Sequence, residues 1–237
     1  DWNREKWKSG IASKFIRQGE RNAVRYCHEI IVLSKAVQDY FRDTYGRETK
    51  LIPNGVNRPD PVPAAQIREK FGLEGQDYIL FLGRLVPEKG LRYLIEAFRK
   101  VDTQKKLVIA GGSSDTDSFT HELHTMAAGD DRILFTGFVQ GQILEELYSN
   151  AYLYTLPSDL EGMPLSLLEA MSYGNCCLVS DIPECADVVE DKAFVFRRAD
   201  VNDLCEKLQW VCDDPAAVGI LKEQAAGFFC DRSSWDS

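Results

Sequence analysis

The sequence lacks the features that place a protein across a membrane or outside the cell. No apolar run approaches the roughly eighteen residues that a membrane-spanning helix requires. No secretory signal peptide is recognisable, and no Asn-x-Ser/Thr acceptor for glycosylation occurs. We therefore expect a cytoplasmic protein. The chain opens on Asp1 rather than on methionine, and we expect it to be a piece of a longer protein.

The cysteines form no recognisable metal or redox motif. The chain has seven cysteines, an odd number, and no two are spaced as Cys-x-x-Cys. Cys176 and Cys177 are adjacent in a predicted strand, where two neighbouring side chains point to opposite faces. This pattern favours reduced, buried thiols in a reducing compartment.

Several catalytic and metal-binding motifs are also missing. The strand and glycine turn at residues 107–113 form neither a dinucleotide fingerprint nor a P-loop, which disfavours a dehydrogenase or a kinase. His121 and His124 are three residues apart, whereas a zinc helix of the H-E-x-x-H type needs four. Asp115 and Asp117 lie in a polar loop that is typical of a solvated turn. No Ser-His-Asp or Cys-His arrangement is evident, and we expect no bound metal.

Charge is unevenly distributed along the chain. The net charge is −9, which argues against a nucleic-acid-binding protein. Residues 1–27, in contrast, carry seven basic and three acidic side chains and are predicted to form a helix over 2–27. A basic helix with aromatic residues can lie on an anionic membrane surface, which would make the protein peripheral at the inner membrane face. The alternative, which we favour, is an interdomain or core helix with a solvated basic side.

From residue 64 onward the pattern alternates between helix and strand. Helices are predicted at 64–72, 90–101, 117–127, 141–149, 164–173 and 183–189, and from about 200 onward. Strands are predicted at 78–82, 106–110, 132–136, 151–156, 176–180 and 193–196. Such alternation predicts an α/β fold with a Rossmann-like parallel sheet and helices on both faces. The stretch Pro59–Pro63 reads as a stiff linker. We therefore expect a domain at 61–237, preceded at 1–60 by the tail of another domain.

One stretch, residues 158–174, combines two carboxylates with an apolar helix. Pro164 is predicted at the first helical position and Gly174 just after the last. Met163 would then be the N-cap and offers no side-chain oxygen, so the next three amides, 165–167, should stay open to an anion. Glu169 lies inside the helix, where a buried carboxylate needs a partner. Glu161 precedes the helix.

A basic pair is predicted beside this stretch. Arg84 and Lys89 lie in the loop after the first strand of the alternating region. That loop leaves the carboxyl edge of the sheet, where ligands of such sheets bind. An arginine fork and a lysine point charge can together neutralise a diphosphate without a metal.

These motifs resemble those of the retaining GT-B glycosyltransferases of family 4, also called group 1. The similarity rests on EGMPLSLLEAMSYG at 161–174, GRL-x-x-x-KG at 83–90 and IPNGVN at 52–57. It implies that Glu169 binds the ribose of a nucleotide sugar and that Glu161 lies by the transferred sugar. Arg84 and Lys89 would hold the diphosphate and, with Glu161, act in catalysis. The other donor-binding positions implied are Gly83, Phe138, Val139, Gly162, Met163, Pro164 and Leu165.

The resemblance also implies a reaction and its partners. The protein would transfer a sugar, as a hexosyl-type enzyme, from a nucleoside-diphosphate sugar with retention of anomeric configuration. It would need no cofactor and no metal. The acceptor would be a glycan or a lipid-linked glycan, bound by the missing N-terminal domain of the same protein. The start Arg4–Trp7 is similar to bacterial enzymes of surface-polysaccharide biosynthesis.

Two alternatives from other classes stay open. One is a GT-B sugar-nucleotide epimerase, which should need further carboxylate and histidine groups beside the sugar. The other is a nucleotide-sugar-binding module without catalysis, and the intact set of motif residues argues against that loss.

Overall fold

The computed structural model describes residues 11–57, 59–112 and 117–232, without the side chains of 11–13, 117 and 226–232. The predictions for the first part of the helix at 2–27, for Arg4–Trp7 and for the side chains of Asp115 and Asp117 lie outside what is described. The chain divides into two compact units, one up to Asn54 and one from Gly55.

The described part of the first unit, residues 11–54, has two helices and two short parallel strands. Its elements are α1 (Ile11–Tyr26), β1 (Ile31–Val32), α2 (Lys35–Tyr45) and β2 (Lys50–Leu51). The sequence predicts a helix from Lys35 to about Tyr45, capped by Ser34 and ended by Gly46, and both ends are confirmed in α2. The hydroxyl of Ser34 accepts a hydrogen bond from the Val37 amide at 3.4 Å, and Gly46 closes the helix in the left-handed conformation with φ 62°.

The apolar run within residues 29–34 predicts a buried strand there, and this prediction is wrong in its extent and in its burial. Only Ile31 and Val32 are in strand conformation, and Val32 alone is buried. Ile31 and Leu33 are 60% and 43% exposed. Because side chains alternate along a strand, Ile31 lies on the face opposite Val32. No described residue of this unit covers that face.

The second unit contains a six-stranded parallel sheet, as predicted. Its strands are β3 (Tyr78–Leu82), β4 (Lys106–Ala110), β5 (Ile133–Gly137), β6 (Leu153–Leu156), β7 (Cys177–Ser180) and β8 (Phe194–Phe196). Its helices are α3 (Gln66–Phe71), α4 (Leu91–Phe98), α5 (Asp117–Ala127), α6 (Gln142–Asn150), α7 (Leu165–Ser172), α8 (Pro183–Val189), α9 (Val201–Asp213) and α10 (Pro215–Arg232). Every residue of β6 and β7 is buried, which means that both faces of the sheet are covered.

The strand order decides where a ligand can bind. The sheet runs β5-β4-β3-β6-β7-β8. The chain therefore moves outward from β3 to β5 and then returns to add β6 on the other side of β3. Ligands of open α/β sheets bind at the carboxyl ends of the strands where the order reverses. In this sheet that place lies between the loops that follow β3 and β6.

Three of the six cysteines whose side chains are described agree with the sequence interpretation of buried thiols, and Cys205 and Cys212 are only partly buried. Cys176, Cys177 and Cys185 are buried and free, and burial raises the pKa of Cys176 to about 12. Cys27 is exposed, so the expectation of uniformly buried thiols is wrong there. Among the described residues, no helix is long and apolar enough to cross a membrane.

A buried carboxylate anchors the start of the second unit. Ala65 precedes α3 and gives that helix no side-chain cap. Glu146, on α6 and fully buried, accepts hydrogen bonds from the amides of Ala65 at 2.9 Å and Ile67 at 3.0 Å. Gln142 donates to its second oxygen at 2.9 Å. Burial alone would raise the pKa of Glu146, but these backbone and side-chain donors lower it overall.

This arrangement predicts that stability depends on pH through Glu146. A carboxyl group whose pKa is lower in the folded state stabilises the fold above its ordinary pKa of 4.5 and loses that effect as the pH falls through the folded value. Glu146→Gln should lower the free energy of unfolding at pH 7 by about 1–3 kcal/mol, the usual range for hydrogen bonds to a charged group.

Urea unfolding followed by circular dichroism at pH 7 and at pH 3 would measure the effect. The difference between wild type and Glu146→Gln should be smaller at pH 3, because the stabilisation from a lowered pKa decreases once the pH is below the ordinary value of 4.5. The neighbouring exposed Glu145 provides the matched control, and Glu145→Gln should change little at either pH. An equal loss of stability in both variants would contradict the anchoring role.

Candidate functional site

The loops after β3 and β6 touch at the carboxyl edge of the sheet. The Asp159 amide donates to the Glu88 carbonyl at 2.8 Å. Gly90 has φ 68°, and a Cβ atom built there would lie 1.8 Å from the Pro157 carbonyl oxygen. Only glycine allows so close an approach in this conformation. The chain therefore holds the two predicted halves of the site against each other.

Lys89 and Glu161 meet across these loops. The Lys89 ammonium lies 2.6 Å from Oε1 of Glu161, and the side chains are 15% and 7% exposed. Ser158, which is fully buried, donates from its hydroxyl to the same Oε1 at 2.6 Å. The Ser180 hydroxyl donates to the Ser158 carbonyl at 2.6 Å. Both contacts of Glu161 therefore use one oxygen, and Oε2 has no hydrogen-bond partner among the described residues.

Arg84 lies at the rim of a cavity beside this pair. The cavity has a volume of about 490 Å³, and Gly83, Gly111, Phe138 and Val139 contribute to its lining. Phe138 is 75% exposed. The Arg84 side chain is exposed and donates no hydrogen bond to any described residue. The sequence prediction grouped Gly83 and Arg84 with Phe138 and Val139 from two separate stretches, and all four line this cavity.

The beginning of α7 differs from the sequence prediction by one residue. Pro164 is the N-cap, with ψ 86°, and Leu165 is the first helical residue. The amides of Leu167 and Leu168 both donate to the Pro164 carbonyl, at 3.0 and 3.1 Å. The Leu167 amide is therefore not open, which corrects the prediction. The amides of Leu165 and Ser166 make no hydrogen bond to a described residue, so two donors remain at the positive end of the helix.

Glu169 faces a second cavity rather than the Lys89 pair. This cavity, of about 460 Å³, is lined by Tyr148, Leu165, Glu169 and Tyr173 among others. The Tyr148 hydroxyl donates to Oε2 of Glu169 at 3.0 Å. The sequence analysis missed Tyr148 and Ser158, the partners of the two glutamates. A buried carboxylate was known to need a partner, but nothing in the sequence indicated which polar side chain would supply it.

Comparison with known proteins gives the site its context. Residues 64–228 match the family model described as Glycosyl transferases group 1. The alpha-D-kanosaminyltransferase of Streptomyces kanamyceticus is 27% identical over 91% of this chain and 59% of its own length. The O-antigen chain mannosyltransferase RfbU of Salmonella typhimurium is 28% identical over 94% of this chain and 62% of its own. The chain thus spans about three-fifths of these two relatives.

Solved structures share the fold at low sequence identity. Anabaena Alr3699/HepE, in complex with UDP and glucose, superposes with a TM-score of 0.85 at 21% identity, over 96% of this chain and 64% of that one. WaaG, a glycosyltransferase involved in lipopolysaccharide biosynthesis, superposes with a TM-score of 0.77 at 19% identity, over 94% and 64%. These are GT-B structures, so the second unit has the Rossmann-like fold of that class.

The close contact of the two loops predicts that adding one methyl group at Gly90 strongly lowers the stability of the fold. Gly90→Ala should be less stable than Gly72→Ala by at least about 2 kcal/mol, because its new Cβ would overlap the Pro157 carbonyl. Gly72 is the matched control, since it has a similar φ of 61° but nothing within 4 Å of a Cβ. Gly72→Ala should lose only about 1–2 kcal/mol, the cost of the left-handed conformation. Equal unfolding free energies in a urea titration would show that the loops do not make this contact.

Proposed function

The chain belongs to the Glycosyl transferases group 1 family, and we propose that its second unit binds the nucleoside-diphosphate sugar from which the whole protein transfers a hexosyl-type sugar with retention of configuration, as in family 4. One observation carries this proposal. Two cationic side chains, a buried carboxylate and a helix start with open amides converge at the point where the strand order of the sheet reverses.

The cationic residues suit a departing diphosphate. Negative charge grows on the diphosphate as the bond to the anomeric carbon breaks, so fixed donors stabilise the transition state more than the ground state. The Arg84 guanidinium donates no hydrogen bond to a described residue, so it can form two parallel hydrogen bonds to a phosphate group. Lys89 has three N–H donors. It can therefore keep its hydrogen bond to Glu161 and donate a second hydrogen bond to a phosphate oxygen. The free amides of Leu165 and Ser166 add two neutral donors, with Gly162, Met163 and Pro164 forming the turn before them. No metal is needed in this account.

The contacts of Glu161 suit a role beside the transferred sugar. Lys89 and Ser158 both donate to Oε1 and fix the carboxylate, which leaves Oε2 to accept a sugar hydroxyl or to stabilise positive charge on the ring. We do not assign it as a covalent nucleophile. The bond from the anomeric carbon to the diphosphate oxygen breaks while a bond to the acceptor oxygen forms. The acceptor proton passes to the leaving phosphate, which is the base that the donor itself supplies.

Glu169 suits the ribose of the same donor. Its Oε2 is held by Tyr148, while Oε1 has no partner among the described residues. The cavity in front of it adjoins Leu165 at the helix start. A ribose bound in this cavity would connect on one side to the diphosphate of the same donor. The base would lie by Phe138 and Val139, in the cavity that also contains Arg84.

The acceptor and the cellular setting extend the proposal to the whole protein. One relative is named an O-antigen chain mannosyltransferase, and this name supports a glycan or lipid-linked glycan acceptor in polysaccharide biosynthesis. We propose that the first unit is the tail of an N-terminal acceptor domain. A cytoplasmic enzyme, with peripheral membrane contact through residues 2–27, is consistent with this acceptor.

The alternative functions lack support from the site. An epimerase of this fold should place histidine beside the sugar, yet the chain has only His28, His121 and His124. His28 belongs to the first unit, and the other two lie on α5, away from the linings of both cavities. A non-catalytic binding module would not hydrolyse its ligand. Slow release of free sugar from the bound nucleotide sugar would distinguish a transferase from it.

Substitutions should separate the diphosphate and ribose contacts. Arg84→Ala should weaken nucleoside-diphosphate binding by roughly tenfold to a hundredfold, because charge-assisted hydrogen bonds are lost, and should leave nucleoside binding nearly unchanged. Glu169→Ala should weaken both ligands. Isothermal titration calorimetry with UDP and uridine, GDP and guanosine, and ADP and adenosine would measure each affinity.

Arg68→Ala is the matched control for the lost charge. Arg68 is an exposed arginine on α3 that pairs with Glu74 at 2.8 Å and lines neither cavity. Its variant should bind like wild type. Equal diphosphate affinities in wild type, Arg84→Ala and Glu169→Ala would remove the basis of the site assignment.

A further inference from the structure

Tyr148 connects the ribose carboxylate to the interior of the second unit. Its side chain is 1% exposed, yet its hydroxyl reaches two oxygens of α7. These are Oε2 of Glu169 at 3.0 Å and the Ser166 carbonyl at 3.2 Å. A phenol has one proton, and the charged carboxylate is the stronger acceptor of the two. Burial, together with nearby Tyr154 and Glu169, raises the pKa of Tyr148 well above its ordinary value, so its hydroxyl stays a donor at neutral pH.

The Tyr148 ring is fixed by packing on several sides. Tyr173 stacks on it with ring centroids 5.3 Å apart and an angle of 17° between the planes. The ring of Tyr154, on strand β6, has its centroid 6.1 Å from that of the Tyr148 ring. The side-chain Nδ2 of Asn175 donates to the Tyr148 carbonyl at 2.8 Å and fixes the backbone there. The phenol oxygen therefore has little freedom to move.

Glu169 would have much more freedom without this contact. A glutamate side chain has three rotatable bonds, and this one borders a cavity of about 460 Å³. The described residues offer its carboxylate only the Tyr148 hydroxyl as a hydrogen-bond donor. Binding a ribose with an unfixed carboxylate would require that carboxylate to be ordered at the moment of binding, and this ordering lowers affinity. A rigid supporting group removes that cost in advance.

We propose that Tyr148 is a positioning residue, which holds Oε2 of Glu169 so that Oε1 faces the cavity and receives the ribose hydroxyls of the donor. The proposal rests on the proposed function of this site. It assigns the preference for a ribonucleotide over a deoxyribonucleotide to a pair of residues, one on α6 and one on α7. Tyr148 itself does not touch the ligand in this account.

The test compares ribose and deoxyribose ligands in matched variants of the whole 237-residue chain. Calorimetry would give the affinities of UDP, GDP and ADP and of their 2′-deoxy and 3′-deoxy forms. The variants are Tyr148→Phe, Tyr154→Phe, Glu169→Gln and the double variant Tyr148→Phe/Glu169→Gln. Tyr154 is the matched control because its hydroxyl also reaches Ser166, at the side-chain oxygen 2.8 Å away, but makes no contact with Glu169.

Wild type should bind one ribose form at least about tenfold more tightly than its deoxy form, as expected for a hydrogen bond to a charged group. Tyr148→Phe should reduce this ratio to below about threefold, mainly because the affinity for the ribose ligand falls. Tyr154→Phe should keep the wild-type ratio. In the Glu169→Gln background, Tyr148→Phe should reduce the ratio no further, because coupled residues are not additive.

The possible failures are distinguishable. A wild-type protein that binds ribose and deoxyribose forms equally would overturn both the proposed ribose site and the role of Tyr148. A preference that Glu169→Gln abolishes but Tyr148→Phe preserves would overturn the positioning role alone. Equal weakening of all ligands by Tyr148→Phe, or the same change of ratio in Tyr154→Phe, would show a general packing effect and would also overturn it.

A second variant keeps the proposal testable if Tyr148→Phe does not fold. Glu169→Asp retains the charge but shortens the side chain by one methylene, which takes the carboxylate away from the Tyr148 hydroxyl. The ratio should fall to below about threefold here as well. A wild-type ratio in Glu169→Asp would contradict the need for this contact.

Discussion

The contact between the loops after β3 and β6 is the constraint on which the site depends. These strands are neighbours although more than seventy residues separate them in sequence, because the order of the sheet reverses at this point. Gly90 lets one loop lie against the carbonyl of Pro157 in the other. Without that approach, Lys89 and Glu161 would have no fixed relation. The rest of the sheet gives this edge its rigidity, since β3, β4, β6 and β7 are almost entirely buried.

The ion pair at this edge is better explained by function than by stability. Removing an ammonium and a carboxylate from water costs several kcal/mol for each ion, and their attraction seldom exceeds that cost. An apolar pair of similar volume would serve the fold as well. The pair of Lys89 and Glu161 keeps a cation and an anion ready beside each other, each with capacity left for a ligand. Such preorganised groups are effective in catalysis because they need no rearrangement during the reaction.

The sequence predicted most of the second unit because its local signals agree with one another. The strands Tyr78–Leu82 and Lys106–Ala110 and the helix Pro183–Val189 have the predicted bounds. Alternation of helix and strand led to a parallel sheet, and the fold is confirmed. The glycosyl transferase family was identified from the motif around Glu161 and Glu169, and the family match confirms it. The roles of the individual residues remain predictions.

What the sequence did not predict depends on contacts between distant segments. Pro164 can begin a helix or cap it, and its place was decided by the two amides that share its carbonyl. Tyr148 has the pattern of a core residue, and its hydroxyl became important only because α6 lies against α7. Ser158 follows a predicted strand directly after Pro157, a position that indicates only a strand end, while the fold buries it beside Glu161. Ile31 looked like a core strand residue and is exposed in a strand of only two residues.

The central claim is that this site holds a nucleoside diphosphate with side chains and backbone amides, without a metal ion. Calorimetric titration of the chain with UDP, GDP, ADP and dTDP, first with a chelator and then with added Mg²⁺, tests it most directly. We expect one of the four to bind in the presence of the chelator, with little change when Mg²⁺ is added. Binding that begins only with Mg²⁺, or no binding of any diphosphate in either condition, would contradict the account.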